Sequence, residues 1–92
     1  MYIYLDGIFD LFHVGHVRAY KYIKKRYPNS KLIIGIINDK DATDYKRKPI
    51  INENHRCEMI LSTRYVDKII FPAPLIITPQ FLEDNNINLV VH

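Results

Sequence analysis

A chain of 92 residues, 48% of them apolar, has room for one domain around a small core. Its net charge of +3 suits a small anionic ligand but is modest for a nucleic-acid binder, and no polybasic tail is present. The single cysteine, Cys57, excludes an intramolecular disulfide, and the longest apolar run, Leu32 to Ile37, is far short of a membrane span, so a cytoplasmic protein with no integral membrane segment is expected.

Tyr2-Ile3-Tyr4-Leu5 is a short β-rich run ending at Asp6-Gly7. From about Gly15 to Tyr27 the residues Val17, Tyr20, Ile23 and Tyr27 recur at helical spacing, and Pro28-Asn29-Ser30 stops the helix. Leu32 to Ile37 is apolar on both faces, as a central parallel strand requires. Asn38 to Pro49 reads as a polar, basic loop that can hold a helical turn around Asp41 to Tyr45. Asn52 is the expected N-cap of a helix reaching Thr63 or Arg64, and Val66 to Phe71 a third strand. Pro72 and Pro74 break that strand, Pro79 opens a third helix reaching about Asn85, and Asn88 to Val91 is a fourth strand. Alternating strands and helices predict an α/β fold of Rossmann type: a parallel sheet, helices on both faces, one domain over 1–92.

In such a sheet, ligands sit beyond the carboxyl ends of the strands. The segment Asp6 to His16 leaves the first strand at that end and enters a helix whose free N–H groups and dipole attract anions. His13 and His16, three apart around Gly15, can both face such a ligand and donate to phosphoryl oxygens, while Gly7 and Gly15 allow close approach. Two other readings stand beside this one. The histidines can simply cap the helix, or bind a metal together with Asp6 or Asp10.

The block Asp6-Gly7-Ile8-Phe9-Asp10-Leu11-Phe12-His13-Val14-Gly15-His16 resembles the signature of cytidylyltransferases that activate phosphocholine or phosphoethanolamine. The likeness continues through Leu32 to Asn38, Lys46, Asn52-Glu53-Asn54-His55-Arg56, Arg64-Tyr65-Val66-Asp67, Ala73-Pro74 and Thr78-Pro79, covering essentially the whole chain. The resemblance implies a nucleotidyltransferase fold and transfer of CMP from CTP to an amino-alcohol phosphate, with release of pyrophosphate. It implies CTP and a small phosphoalcohol as partners, Mg2+ carried by the triphosphate with no protein side chain as metal ligand, no nucleic acid, and a homodimer.

Carried over position by position, the resemblance makes His13, His16 and Lys46 catalytic. It draws Gly7, Ile8, Phe9 and Gly15 to the nucleotide. His92, at the carboxyl end of the last strand, is expected to point towards the same site. Asp6 matches the position facing the cationic head group, and Arg64, Tyr65, Val66 and Asp67 match a dimer segment. Asp10 is expected to brace the loop through backbone N–H groups. Arg56 is either structural, in contact with nucleotide, or exposed on its helix, His55 is expected in solvent, and Cys57 is expected to be a small core residue. Two departures stand out: Leu75 occupies a position that is aromatic in choline- and ethanolamine-type relatives, and the family's later Arg-Thr-x-Gly-Ile-Ser-Thr signature, with a last strand and helix, would lie beyond His92. A partial domain is therefore expected. Alternatives are a glycerol-3-phosphate cytidylyltransferase, an adenylyltransferase with the same histidine pair, or a non-catalytic module that binds nucleotide or pairs as a dimer.

Overall fold

The computed structural model describes residues 1–92. Its elements in chain order are β1 (Tyr2–Gly7), α1 (Val14–Arg26), β2 (Lys31–Ile36), α2 (Asp39–Tyr45), α3 (Glu53–Leu61), β3 (Lys68–Ile70), α4 (Pro79–Asp84) and β4 (Leu89–Val90). The strands form one parallel sheet in the order β3-β2-β1-β4. Parallel crossovers carry the chain from β1 to β2 to β3, then back past β1 to β4. The direction of travel reverses at β1, so the crevice expected to hold a ligand opens at the carboxyl ends of β1 and β4.

Strand alternation decides which helix meets which face. Ile3 of β1 and Leu32, Ile34 and Ile36 of β2 form one buried cluster with Tyr20 and Ile23 of α1 and Ile60 of α3. On the opposite face Tyr4 meets Phe81 of α4 edge-on at 5.2 Å, and Ile37 packs with Ala42 of α2 and Ala73. The sheet is thus covered on both faces, as its apolar β2 anticipates. No helix is long and apolar enough to cross a membrane.

Local differences from the sequence reading have identifiable causes. β1 runs two residues further than its apolar run, because Asp6 and Gly7 continue the ladder against Gly35 and Ile36. The polar segment after β2 is a seven-residue helix, started by the Asn38 side chain accepting from Asp41 N at 2.8 Å. α3 ends at Leu61, earlier than expected, where the Ser62 hydroxyl turns back to Glu58 O. β3 keeps only three residues, since Val66 leaves the ladder to pack on the core.

Candidate active site

The two histidines cap α1 reciprocally. His13 is the N-cap, with extended backbone, and its Nδ1 accepts from Gly15 N at 2.9 Å, while His16 Nδ1 accepts from His13 N at 3.1 Å. A ring nitrogen that accepts an N–H carries no proton, so both imidazoles are neutral with their hydrogen on Nε2. Burial, then the neighbouring His13, holds the His16 ring below its ordinary pKa of 6.5. The rings lie 4.2 Å apart, and Phe12 stacks on His16 at 5.2 Å, nearly parallel. The capping and phosphate readings are therefore not rivals: capping occupies Nδ1 and leaves Nε2–H free to donate on each ring.

Gly15 is required by this arrangement. A Cβ there would stand 2.6 Å from Cε1 of the His13 ring, which lies folded over the first turn. α1 carries no acid in its first turn, so its dipole end is free to meet an anion, and Lys24, Lys25 and Arg26 offset the other end.

The loop between β1 and α1 is tightly wound, with Phe9 at φ 57° and Leu11 at φ 50°, a region costly for side chains larger than glycine. Two charged side chains hold it. Asp10 accepts from Ile50 N and Ile51 N at 2.9 Å each and from Leu11 N at 3.2 Å, which binds the histidine loop to the segment after Lys46. Desolvation pushes this carboxyl up, but the N–H groups outweigh it and keep the pKa below the ordinary value. Arg56, fully buried, donates to Ile8 O at 2.6 Å, Ile37 O at 2.8 Å, Ile51 O at 3.0 Å and Asp39 Oδ1 at 2.6 Å. One guanidinium therefore joins the loops after β1 and β2 to the start of α3. An exposed Arg56 is thereby excluded; its place on the same stripe as Ile60, four residues on, was the available signal.

Lys46 ends α2 in solvent with its ammonium 5.7 Å from the Tyr45 ring. With Arg47, Pro49, Ile8 and Asp10 it lines a cavity of about 190 Å3. Phe9 is buried and its ring lies over Gly7, where a Cβ would stand 3.0 Å from it. Asp6 and His92 share the carboxyl end of β1 and β4: burial raises the Asp6 carboxyl, opposed by its own N–H and by the charge of His92. His13, His16, Gly7, Ile8, Phe9, Gly15, Asp6, His92 and Lys46 thus fall on one end of the sheet.

Leu75 stands on the loop between β3 and α4, 47% exposed. Residues 64–67 lie at the other end of the sheet, where the strands begin. Tyr65 and Val66 pack on the chain's own core, Arg64 sits 5.5 Å over the Tyr65 ring, and Asp67 accepts from Leu32 N and Lys24 Nζ at 2.7 Å each. Asp67 therefore has an internal role, tying α1 to the start of β2, that its motif did not reveal. His55 is exposed and Cys57 packs against the core. No three His, Cys, Asp or Glu side chains converge into a metal-holding group, and Asp10 is committed to backbone N–H groups.

A strand, a histidine-capped helix and a basic loop converging on the switch point of a parallel sheet define an α/β domain of the nucleotidyltransferase type. The cytidylyltransferase-like family model matches residues 4–92, and the chain belongs to that family. Choline-phosphate cytidylyltransferase A of Rattus norvegicus is 42% identical over 90 residues, covering 98% of this chain and 24% of the relative. Ethanolamine-phosphate cytidylyltransferase of Dictyostelium discoideum is 41% identical over 92 residues, with 98% and 25% covered. The chain thus spans about a quarter of the length of these relatives. Among solved structures, the lipopolysaccharide core biosynthesis protein of Thermoplasma volcanium GSS1 superposes with a TM-score of 0.81 at 23% identity, covering 98% of this chain and 71% of that one, a likeness of fold.

Proposed function

We propose that this domain performs CTP-dependent cytidylyl transfer to an amino-alcohol phosphate, phosphoethanolamine or phosphocholine. The observation that carries the reading is the pair of neutral imidazoles with both Nδ1 atoms occupied and both Nε2–H groups free beside a helix N-terminus. The names of the relatives support the choice of nucleotide and acceptor.

In the proposed reaction a phosphate oxygen of the phosphoalcohol attacks the α-phosphorus of CTP. The bond from that phosphorus to the α–β bridging oxygen breaks, and its electrons leave with pyrophosphate. The nucleophile is already anionic near neutral pH, its second pKa being about 6, so no strong general base is needed. What must be supplied is alignment and neutralisation of the leaving charge. His13 and His16 donate Nε2–H to the triphosphate without first taking up a proton, and Lys46 adds a full charge from the opposite loop. Asp6 faces the head-group ammonium. Magnesium carried by the triphosphate would add charge neutralisation at the leaving pyrophosphate, and His13, His16 and Lys46 would meet the same phosphates.

The test is to incubate the chain with labelled CTP, magnesium and either phosphoalcohol and to look for the CDP-alcohol and pyrophosphate, with ATP and glycerol 3-phosphate in parallel reactions. CTP binding is measured separately by calorimetry. Binding with no product under any combination identifies the non-catalytic alternative, and preference for ATP or glycerol 3-phosphate identifies the others.

A further inference from the structure

We propose that Tyr4 is the positioning residue for Asp6: its buried hydroxyl is the donor that fixes the Asp6 carboxylate when a cationic head group docks. The inference rests on the assignment of Asp6 to the head group and extends it by one residue.

Tyr4 is fully buried, yet its Oη has no hydrogen-bond partner. A buried hydroxyl left in this state is costly, and few are retained without a role. Alternation along β1 places Tyr4 and Asp6 on the same face of the sheet. The phenol does not stop beside its own ladder partner, Ile33. It leans towards the carboxyl end and occupies the space that a side chain at Gly35 would fill, since a Cβ there would overlap Oη and stand 2.6 Å from Cζ.

Gly35 is the ladder partner of Asp6, so the Tyr4 hydroxyl ends beside Asp6 in a gap left open by the glycine. The Asp6 carboxylate, meanwhile, has only the weak influence of its own backbone N–H and makes no bond to another residue. A free donor and a free acceptor thus face the same gap at the switch point. Among titratable groups His92 after β4 acts on Asp6, and Asp6 in turn acts on Tyr4 of its own strand; β2 contributes only Gly35, and α4 meets Tyr4 with the uncharged Phe81. When an ammonium engages one Asp6 oxygen, Tyr4 donates to the other and holds the carboxylate ionised and oriented. Tyr4 does not touch the ligand; it acts through Asp6.

The test is Tyr4→Phe, which keeps the ring and removes only an unpartnered oxygen. Affinities for CDP-ethanolamine, which carries the cation, and CDP-glycerol, which does not, are measured by calorimetry on the same chain, and Asp6 is titrated by carboxyl NMR with CDP-ethanolamine bound. Tyr4→Phe is expected to weaken CDP-ethanolamine about tenfold, the scale of a hydrogen bond to a charged group, to leave CDP-glycerol within about twofold, and to raise the Asp6 pKa in the complex. Unchanged CDP-ethanolamine affinity and an unchanged Asp6 pKa overturn the inference. So does a change in melting temperature alone, the sign of a merely structural role. Asp6→Asn separates the two levels: if it costs CDP-ethanolamine affinity while Tyr4→Phe does not, only the Tyr4 inference falls. If wild type fails to prefer CDP-ethanolamine over CDP-glycerol, the Asp6 assignment falls and takes this one with it.

Discussion

His13 and His16 hold each other's orientation through the backbone: the N–H that His16 Nδ1 accepts belongs to His13, and the N–H that His13 Nδ1 accepts lies between them at Gly15. Each ring is thereby a structural acceptor on one nitrogen and an available donor on the other.

The two jobs are separable by substitution. His13→Asn retains a good N-cap but has no ring Nε2–H, so stability is expected within about 0.5 kcal/mol of wild type. Turnover is expected to fall about 100-fold to 1000-fold, the effect of removing one donor from developing charge. His13→Ala loses both functions and should cost about 1 kcal/mol in addition. Urea unfolding and CDP-alcohol formation on both variants check this; equal losses of stability would contradict the cap assignment.

Protonation opposes the cap, because a protonated ring cannot accept on Nδ1. The folded-state pKa of His16 is lowered by burial and by His13, so between that value and 6.5 the unfolded chain binds more protons than the folded one. The His16 contribution is therefore fully present above pH 6.5 and is lost as the pH falls through the folded pKa. Melting temperature should drop on acidification below pH 6.5, less steeply in His16→Asn, as followed by circular dichroism across pH 5 to 8.

Arg56→Met keeps much of the side-chain volume but strands Asp39 and the carbonyls of Ile8, Ile37 and Ile51. Breaking a buried, hydrogen-bonded charge pair costs about 3–5 kcal/mol, a large fraction of the stability of a domain this size. Loss of cooperative unfolding at 25 °C, measured in urea, is the expected result. Arg56→Lys should recover only part of it, because one ammonium cannot reach all four acceptors.

Asp67→Asn tests the internal role found for a residue first read as part of a dimer segment. It removes the charge that pairs with Lys24 while an amide oxygen can still accept from Leu32 N. A loss of about 1 kcal/mol is expected, independent of protein concentration. A loss that grows on dilution would assign Asp67 to a subunit contact instead.

The positions proposed to carry the chemistry were legible because spacing along the chain fixes them locally. His13, Gly15 and His16 span a single helical turn, so their convergence needs no knowledge of the rest of the fold. β2 was legible for a similar reason: a strand apolar on both faces has one environment open to it. Arg56 was not. Whether an arginine four residues from Ile60 points to solvent or to the sheet depends on carbonyls 48 and 19 residues away. Asn38 was missed because a polar, basic segment looks like a loop until its cap is seen.

The sequence by itself determined the alternation of strands and helices, the parallel sheet it implies, and the histidine pair at a helix mouth, because short-range periodicity and capping chemistry depend on near neighbours. Only the tertiary structure decided that both rings cap the helix through Nδ1 and leave Nε2–H free, that Arg56 is the buried clasp of the loops around the site, that Asp67 is engaged within the chain, and that the Tyr4 hydroxyl fills the space beside Asp6 left by Gly35. Each of these depends on ladder register or on contacts between distant segments, and both are set by the packing of the whole chain rather than by any stretch of it.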